Sequence, residues 1–362
     1  MAGLIRHGRK PEDAANFIPI GCYEPAVAGK EISCSGGNHL RLAAAVLNAL
    51  DSGEEPDSFE GFMSLCKEKL HRSCIYMQEQ QILCDMAWKY ALPAPLLSGT
   101  FDSCMARGRD MSDAGAEYNS SGCVISGIAD AADSLAAIRY LVYEKKLCTV
   151  PQLREILKAN WQGFEKLRDT VIRKVAKWGN NDPGADDIAV ELAGFVSKEL
   201  FTLPNGRGGY FFPALFGQMV VESGRTYGAF PSGRLAGEPL SKNMCAAVGM
   251  DKKGITALMK SVLKIDMRQF PNGTCLDLML HPTSVQGQEG VQILVSIIRT
   301  FIAGGGSGLQ FNIFDAGMLR EAQRDPEKYS NLQVRVCGWN SRFVELTPES
   351  QETFIKQSEQ LC

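Results

Sequence analysis

The chain has 362 residues, 45% of them hydrophobic and 22% charged, which are the proportions of a folded globular protein and exclude bulk disorder. A formal net charge of −3 leaves no basic footprint for nucleic acid. No apolar run approaches the roughly 18 residues that a bilayer span needs, and the basic N-terminus (MAGLIRHGRK) has no apolar stretch behind it to act as a secretory signal. The length alone allows two or three domains or one large α/β barrel, and the expectation is a cytosolic protein.

Residues 1–38 read as a loop-rich segment holding a short apolar run, Phe17 to Ile20, followed by Gly21-Cys22-Tyr23-Glu24-Pro25. Leu40 to Leu50 (LRLAAAVLNAL) is a strong helix former, stopped by Asp51-Ser52-Gly53. From Phe59 to Ala91 apolar residues recur at helical spacing, among them Phe62, Leu65, Leu70, Ile75, Ile82 and Met86. A Gly/Asp/Ser-rich loop is expected over 98–122, then helices over 131–145 and 151–177, the second introduced by Thr149-Val150-Pro151.

The stretch GNNDPGADD (179–187) superficially resembles a calcium loop, but its glycine and glutamate positions are wrong, so it reads as the entry to a helix over 185–201. A Gly/Pro/aromatic region without regular pattern reaches about Leu240. Helices are expected again at 254–263 and 288–303. Gly304-Gly305-Gly306-Ser307-Gly308 then precedes a short strand, LQFNIFD. Phosphate-cradling glycine loops run from strand into helix, so this opposite order reads as a tight connection. A helix over 316–328, an extended VRVCGW segment and a terminal helix opened by Thr347-Pro348-Glu349 complete the chain. Helices alternating with short apolar strands give an α/β fold with helices outside a barrel or sheet.

Twelve cysteines occupy positions 22, 34, 66, 74, 84, 104, 123, 148, 245, 275, 337 and 362, with no CxxC pair, and the four histidines (His7, His39, His71, His281) are equally scattered. Zinc and iron–sulfur sites need clustered ligands, so no metal site is expected. Free thiols in such number fit a reducing, anaerobic cytosol.

Two short segments invite a chemical reading. In Val334-Arg335-Val336-Cys337-Gly338-Trp339-Asn340-Ser341-Arg342-Phe343 a glycine interrupts a strand-like run. It could mark a bulge or a close backbone approach. It could also serve because a hydrogen lost from its Cα leaves a radical that spreads over the two flanking amides. In Ile20-Gly21-Cys22-Tyr23-Glu24-Pro25 the plain reading is a turn with a buried cysteine and a solvated glutamate.

The wider context favours the radical. Gly304 to Gly308 with Gln310, Phe311 and Asn312, then Leu319, Ala322-Gln323, Asp325-Pro326-Glu327-Lys328-Tyr329, Leu332, Arg335 to Trp339 and Phe343 to Leu346 closely resembles the C-terminal signature of glycyl radical enzymes. That family includes pyruvate formate-lyase, glycerol and diol dehydratases, choline trimethylamine-lyase and arylacetate decarboxylases. Arg107-Gly108, Gly115-Ala116, Tyr118-Asn119, Trp178-Gly179-Asn180 and Pro231-Ser232-Gly233-Arg234-Leu235-Ala236-Gly237-Glu238-Pro239-Leu240 match in the same order. Cys337 and Trp339 depart from the small residue and Tyr or Phe familiar beside the glycine, and Ser232 stands where aspartate is commoner.

The resemblance implies a set of roles. Gly338 would carry a radical installed by an activating enzyme that uses S-adenosylmethionine and an iron–sulfur cluster, with no cofactor or metal bound by this chain. Cys22 would carry the transient thiyl, and Glu24 would act as general base on a substrate hydroxyl. Pyruvate formate-lyase has two adjacent cysteines, whereas Tyr23 fills the second position here. The Gly-Cys-x-Glu-Pro form therefore points to the dehydratase and eliminase branch, although arylacetate decarboxylases share Cys-x-Glu. A repair protein that replaces an oxygen-cut C-terminus is an alternative, as is an inactive gene remnant.

The implied fold is the second half of a ten-stranded barrel, with the cysteine and glycine loops meeting in its core. Residues 1–38 would form the Cys-loop segment, 39–240 the helical and half-barrel region and 241–362 the glycyl radical domain, all one integrated fold. Because the chain begins just before the Cys22 loop, the expected partners are a companion subunit carrying the first half-barrel, the activating enzyme and a small-molecule substrate. Neither nucleic acid nor membrane is expected, and higher oligomers are allowed.

Overall fold

The computed structural model describes residues 1–32, 34–217 and 220–359; the Cys34 side chain and Cys362 lie outside what it describes. Nine short strands alternate with helices among the described residues. Strand β1 (Phe17–Ile20) and β2 (Glu24–Val27) form an antiparallel hairpin. Strands β3 (Cys34–Arg41), β4 (Ser121–Ser126) and β5 (Phe211–Leu215) form a parallel sheet in that order. A second parallel pair, β6 (Leu276–Leu280) and β7 (Leu309–Ile313), adjoins β5 through a parallel bridge between Leu215 and Thr274. A small antiparallel hairpin follows, β8 (Gln333–Arg335) with β9 (Asn340–Arg342).

The helical expectations hold best where periodicity is long. The Phe59–Ala91 helix spans the range read from its pattern, with Ser58 accepting from Gly61 N at its start. The 179–187 stretch is indeed a helix entry: Asp182 caps the Pro183–Thr202 helix by accepting from Gly184 N at 2.9 Å. Gly304 to Gly308 join the Gly287–Ala303 helix to β7.

Elsewhere the sequence reading needs correction. Leu40 and Arg41 end β3, and the helix runs from Leu42 to Asp51. The expected 151–177 helix is two, Val150–Lys158 and Glu165–Lys174, because Asn160 and Trp161 take left-handed φ values of 50° and 64°. That turn buries the Trp161 ring and lets its indole N–H donate to Phe230 O. The helix read over 131–145 spans Ile128–Ile138 and continues as a wider π turn to Glu144, and the one read over 316–328 stops at Arg324. Of the extended VRVCGW segment, β8 covers only Val334 and Arg335.

Strand β5 lies in the stretch read as patternless, β4 begins within the loop expected over 98–122, and β6 gave no separate signal. Both β4 and β5 are buried along their length, as parallel strands covered on two faces are, so they lack alternation. Pro213 in β5 also argued against a strand. It is tolerated because the N–H groups of matching parity point away from β4: Phe211 N donates to Leu203 O and Leu215 N to Gly273 O. The missing proline N–H therefore costs the β4 ladder nothing.

The main core lies between this sheet and the helices. Every residue of the Ile128–Ile138 helix is buried, and its alanines let the Leu42–Asp51 and Pro183–Thr202 helices approach closely. A second core of Leu319, Ala322, Val334, Phe343, Phe354 and Ile355 holds together the C-terminal module that carries the β8–β9 turn.

Candidate active site

Two turns meet against Val124 of β4, Ala214 of β5, Phe216 and Cys275. The first joins β1 to β2, with Ile20 paired to Glu24, and presents Cys22 at its tip. The second joins β8 to β9, with Arg335 paired to Asn340, and is closed by Val336 N donating to Trp339 O. Gly338 lies at this tip with φ of 74°, a left-handed conformation that glycine adopts without steric cost. A side chain there is excluded by contact as well: a Cβ would overlap Cys22 Cβ and lie 2.5 Å from Cys22 Sγ. The two residues, far apart in sequence, are packed atom on atom.

The segment leading to Gly338 is pinned. Asn312 brackets Arg335, accepting its N–H and donating to its carbonyl at 3.0 and 3.1 Å. The Cys337 thiol is buried and donates to Asn243 Oδ1 and Gly217 O. Beneath it Lys242 and Asp277 form a buried ion pair at 2.8 Å, and Asn243 donates to Asp277 Oδ2 at 2.7 Å. Cys22 Sγ faces the Cys337 carbonyl at 3.4 Å.

Burial, and next the charge of Glu24, push the Cys22 thiol above its usual pKa. Burial and then Asp277 push Cys337 up to about 12. Both thiols are therefore protonated at neutral pH. An S–H rather than a thiolate is the form that can exchange a hydrogen atom.

Glu24, the first residue of β2, is buried, but its carboxylate folds back and accepts the Tyr23 N–H at 2.7 Å. It thus shares the loop with Cys22 and is committed locally to the turn. A cleft of about 680 Å³ lined by Asp130, Lys177, Arg234 and Glu349 lies elsewhere, and neither Cys22 nor Gly338 lines it.

Sequence reasoning brought Cys22, Glu24 and Gly338 forward and missed Lys242, Asn243 and Asp277. Asp277 did leave a signal, as a lone acid inside the apolar run LDLML; an acid in a strand interior needs a buried partner. Gln310 and Asn312 were noticed only as part of a pattern, although they contact the glycine loop directly or through Tyr23.

The site is thus a parallel α/β sheet that carries a cysteine turn seated on a glycine turn. Residues 1–220 match the pyruvate formate lyase-like family and residues 240–344 the glycine radical family. The trans-4-hydroxy-L-proline dehydratase of Clostridioides difficile is 31% identical over 99% of this chain and 47% of its own length. The (2S)-3-sulfopropanediol dehydratase of Klebsiella oxytoca is 31% identical over 99% of this chain and 46% of its own. The glycerol-bound, B12-independent glycerol dehydratase of Clostridium butyricum superposes with a TM-score of 0.93 at 32% identity, covering 98% of this chain and 47% of that one. The chain belongs to the glycyl radical enzyme family, and it spans about half the length of the curated relatives it matches.

Proposed function

We propose that this chain is the radical-bearing half of a glycyl radical dehydratase or related eliminase acting on a small hydroxylated substrate. The observation that carries the reading is the packing of Cys22 directly on Gly338. The names of the relatives support elimination of water or another leaving group as the reaction class.

An activating enzyme removes one hydrogen atom from Gly338 Cα. The resulting radical takes the hydrogen of the Cys22 S–H, which restores the glycine and leaves a thiyl. That sulfur takes a hydrogen atom from the substrate carbon beside the leaving group. Glu24 accepts the proton of the hydroxyl on that carbon while the neighbouring group departs, and Cys22 returns its hydrogen to the product radical. For this step the Glu24 carboxylate must turn from Tyr23 N toward the substrate.

Strands β3 to β7 run as parallel neighbours, which suits a half-barrel, and the family likeness over half the relatives' length supports a companion polypeptide or segment that supplies the other half. The test is anaerobic activation followed by electron paramagnetic resonance. A doublet from one α-hydrogen is expected in the wild type and its loss, with loss of turnover, in Gly338→Ala; a strong doublet in the alanine variant would overturn the assignment.

A further inference from the structure

Tyr23 stands between the two turns, and its phenol is fully engaged. The hydroxyl accepts the Gly338 N–H at 2.9 Å and donates to Gln310 Oε1 at 2.8 Å, with Asn243 Nδ2 at 3.5 Å. The ring meets Phe216 edge-on at a centroid distance of 5.2 Å. Its main chain is clamped as well: Gly273, at φ of 106°, comes so close that a Cβ there would lie 2.5 Å from the Tyr23 carbonyl oxygen. Ring and backbone are thus both fixed, so the direction of the hydroxyl is set by the cysteine turn. Burial holds the phenol far above its usual pKa, so it remains an O–H that donates to Gln310 and accepts from Gly338.

We propose that Tyr23 is a positioning residue for Gly338, holding the glycine peptide by its N–H so that Cα stays against the Cys22 sulfur. This rests on the reading of Gly338 as the radical carrier, and it assigns a role to the side chain that follows the thiol. An unpaired electron on Cα is shared with both flanking amides and needs them coplanar. The donated N–H strengthens the nitrogen's contribution to that sharing and holds the peptide plane still. One side chain thereby links the turn that gives the hydrogen atom to the turn that receives it.

The test uses the full chain together with the companion half proposed to complete it, in two states. Before activation, hydrogen–deuterium exchange at the Gly338 amide should rise roughly 3- to 10-fold in Tyr23→Phe, the kinetic equivalent of one net hydrogen bond, while the Leu278 amide in β6 is unchanged. No rise at Gly338 overturns the proposal. A rise everywhere marks a lost fold, and Gln310→Leu, which removes the phenol's acceptor, then decides: a local rise at Gly338 supports the contact and none overturns it. After activation, Tyr23→Phe should change the α-hydrogen splitting of the doublet and cut turnover per radical roughly tenfold, as misplacement of reacting atoms does. An unchanged doublet with unchanged turnover per radical overturns the positioning role. A wild type that gives no radical, while the exchange result holds, sinks the radical reading and leaves the contact in place.

Discussion

At the residue scale the proposed hydrogen relay and the proposed base can be separated by substitution. Cys22→Ser should retain the Gly338 radical yet give no turnover, since a serine O–H bond is too strong to exchange its hydrogen with a glycyl or substrate carbon. Glu24→Gln should keep the radical and slow turnover by about 10²–10⁴, the range for losing general acid–base help. The glutamine can still accept the Tyr23 N–H through its carbonyl, so the turn itself should survive. Radical content by paramagnetic resonance against turnover distinguishes the two variants, and near-wild-type rates in Glu24→Gln would point to chemistry that needs no base. The three residues proposed to carry the chemistry were legible as candidates because their motifs are local. What surrounds them was not: Lys242 and Asn243 reach the site from one loop and Asp277 from β6, and no spacing rule connects them to position 338.

Among the elements, long periodic helices and helix starts were the most legible, and features that depend on burial were the least. The Phe59–Ala91 helix carries its periodicity over many turns, and the Val150–Lys158 helix announces itself with a Thr149–Gln152 capping box. The parallel strands β4 and β5 are uniformly buried, so their residues give no alternation to read. The break at Asn160–Trp161 is likewise tertiary, since it exists to bury an indole against Phe230. A cap makes the local contribution measurable. Asp182→Ala should cost about 0.5–2 kcal/mol in denaturant unfolding through the lost bond to Gly184 N. Asp182→Asn or Asp182→Ser, which restore an acceptor, should recover most of it, and an alanine variant as stable as wild type would show that the helix entry is held by packing alone.

At the scale of the whole molecule, large apolar side chains lie exposed along two helices. Tyr76, Leu83 and Tyr90 follow one another at heptad spacing along the outer half of the Phe59–Ala91 helix, at 65%, 60% and 76% exposure. Met86, expected from its periodicity to be buried, lies 51% exposed beside them. Val291, Ile298 and Ile302 are similarly exposed along one face of the Gly287–Ala303 helix, which precedes β7 in the chain. Scattered apolar residues need no explanation, but stripes of them along two helix faces are an association surface or an aggregation hazard. The Cys22–Gly338 contact is not fully covered either: both residues are only half-buried and Trp339 is exposed. A radical in that position would meet solvent and oxygen. The polypeptide proposed to complete the barrel would cover all of these features at once, through an interface well above the standard ~1,600 Å². Residues 1–362 produced alone should therefore aggregate or self-associate and turn over poorly after activation. Co-production with the candidate first half should give a defined heteromeric mass and full turnover. Light scattering and activity on the two preparations decide the matter, because a monodisperse lone chain with full turnover leaves no work for a companion.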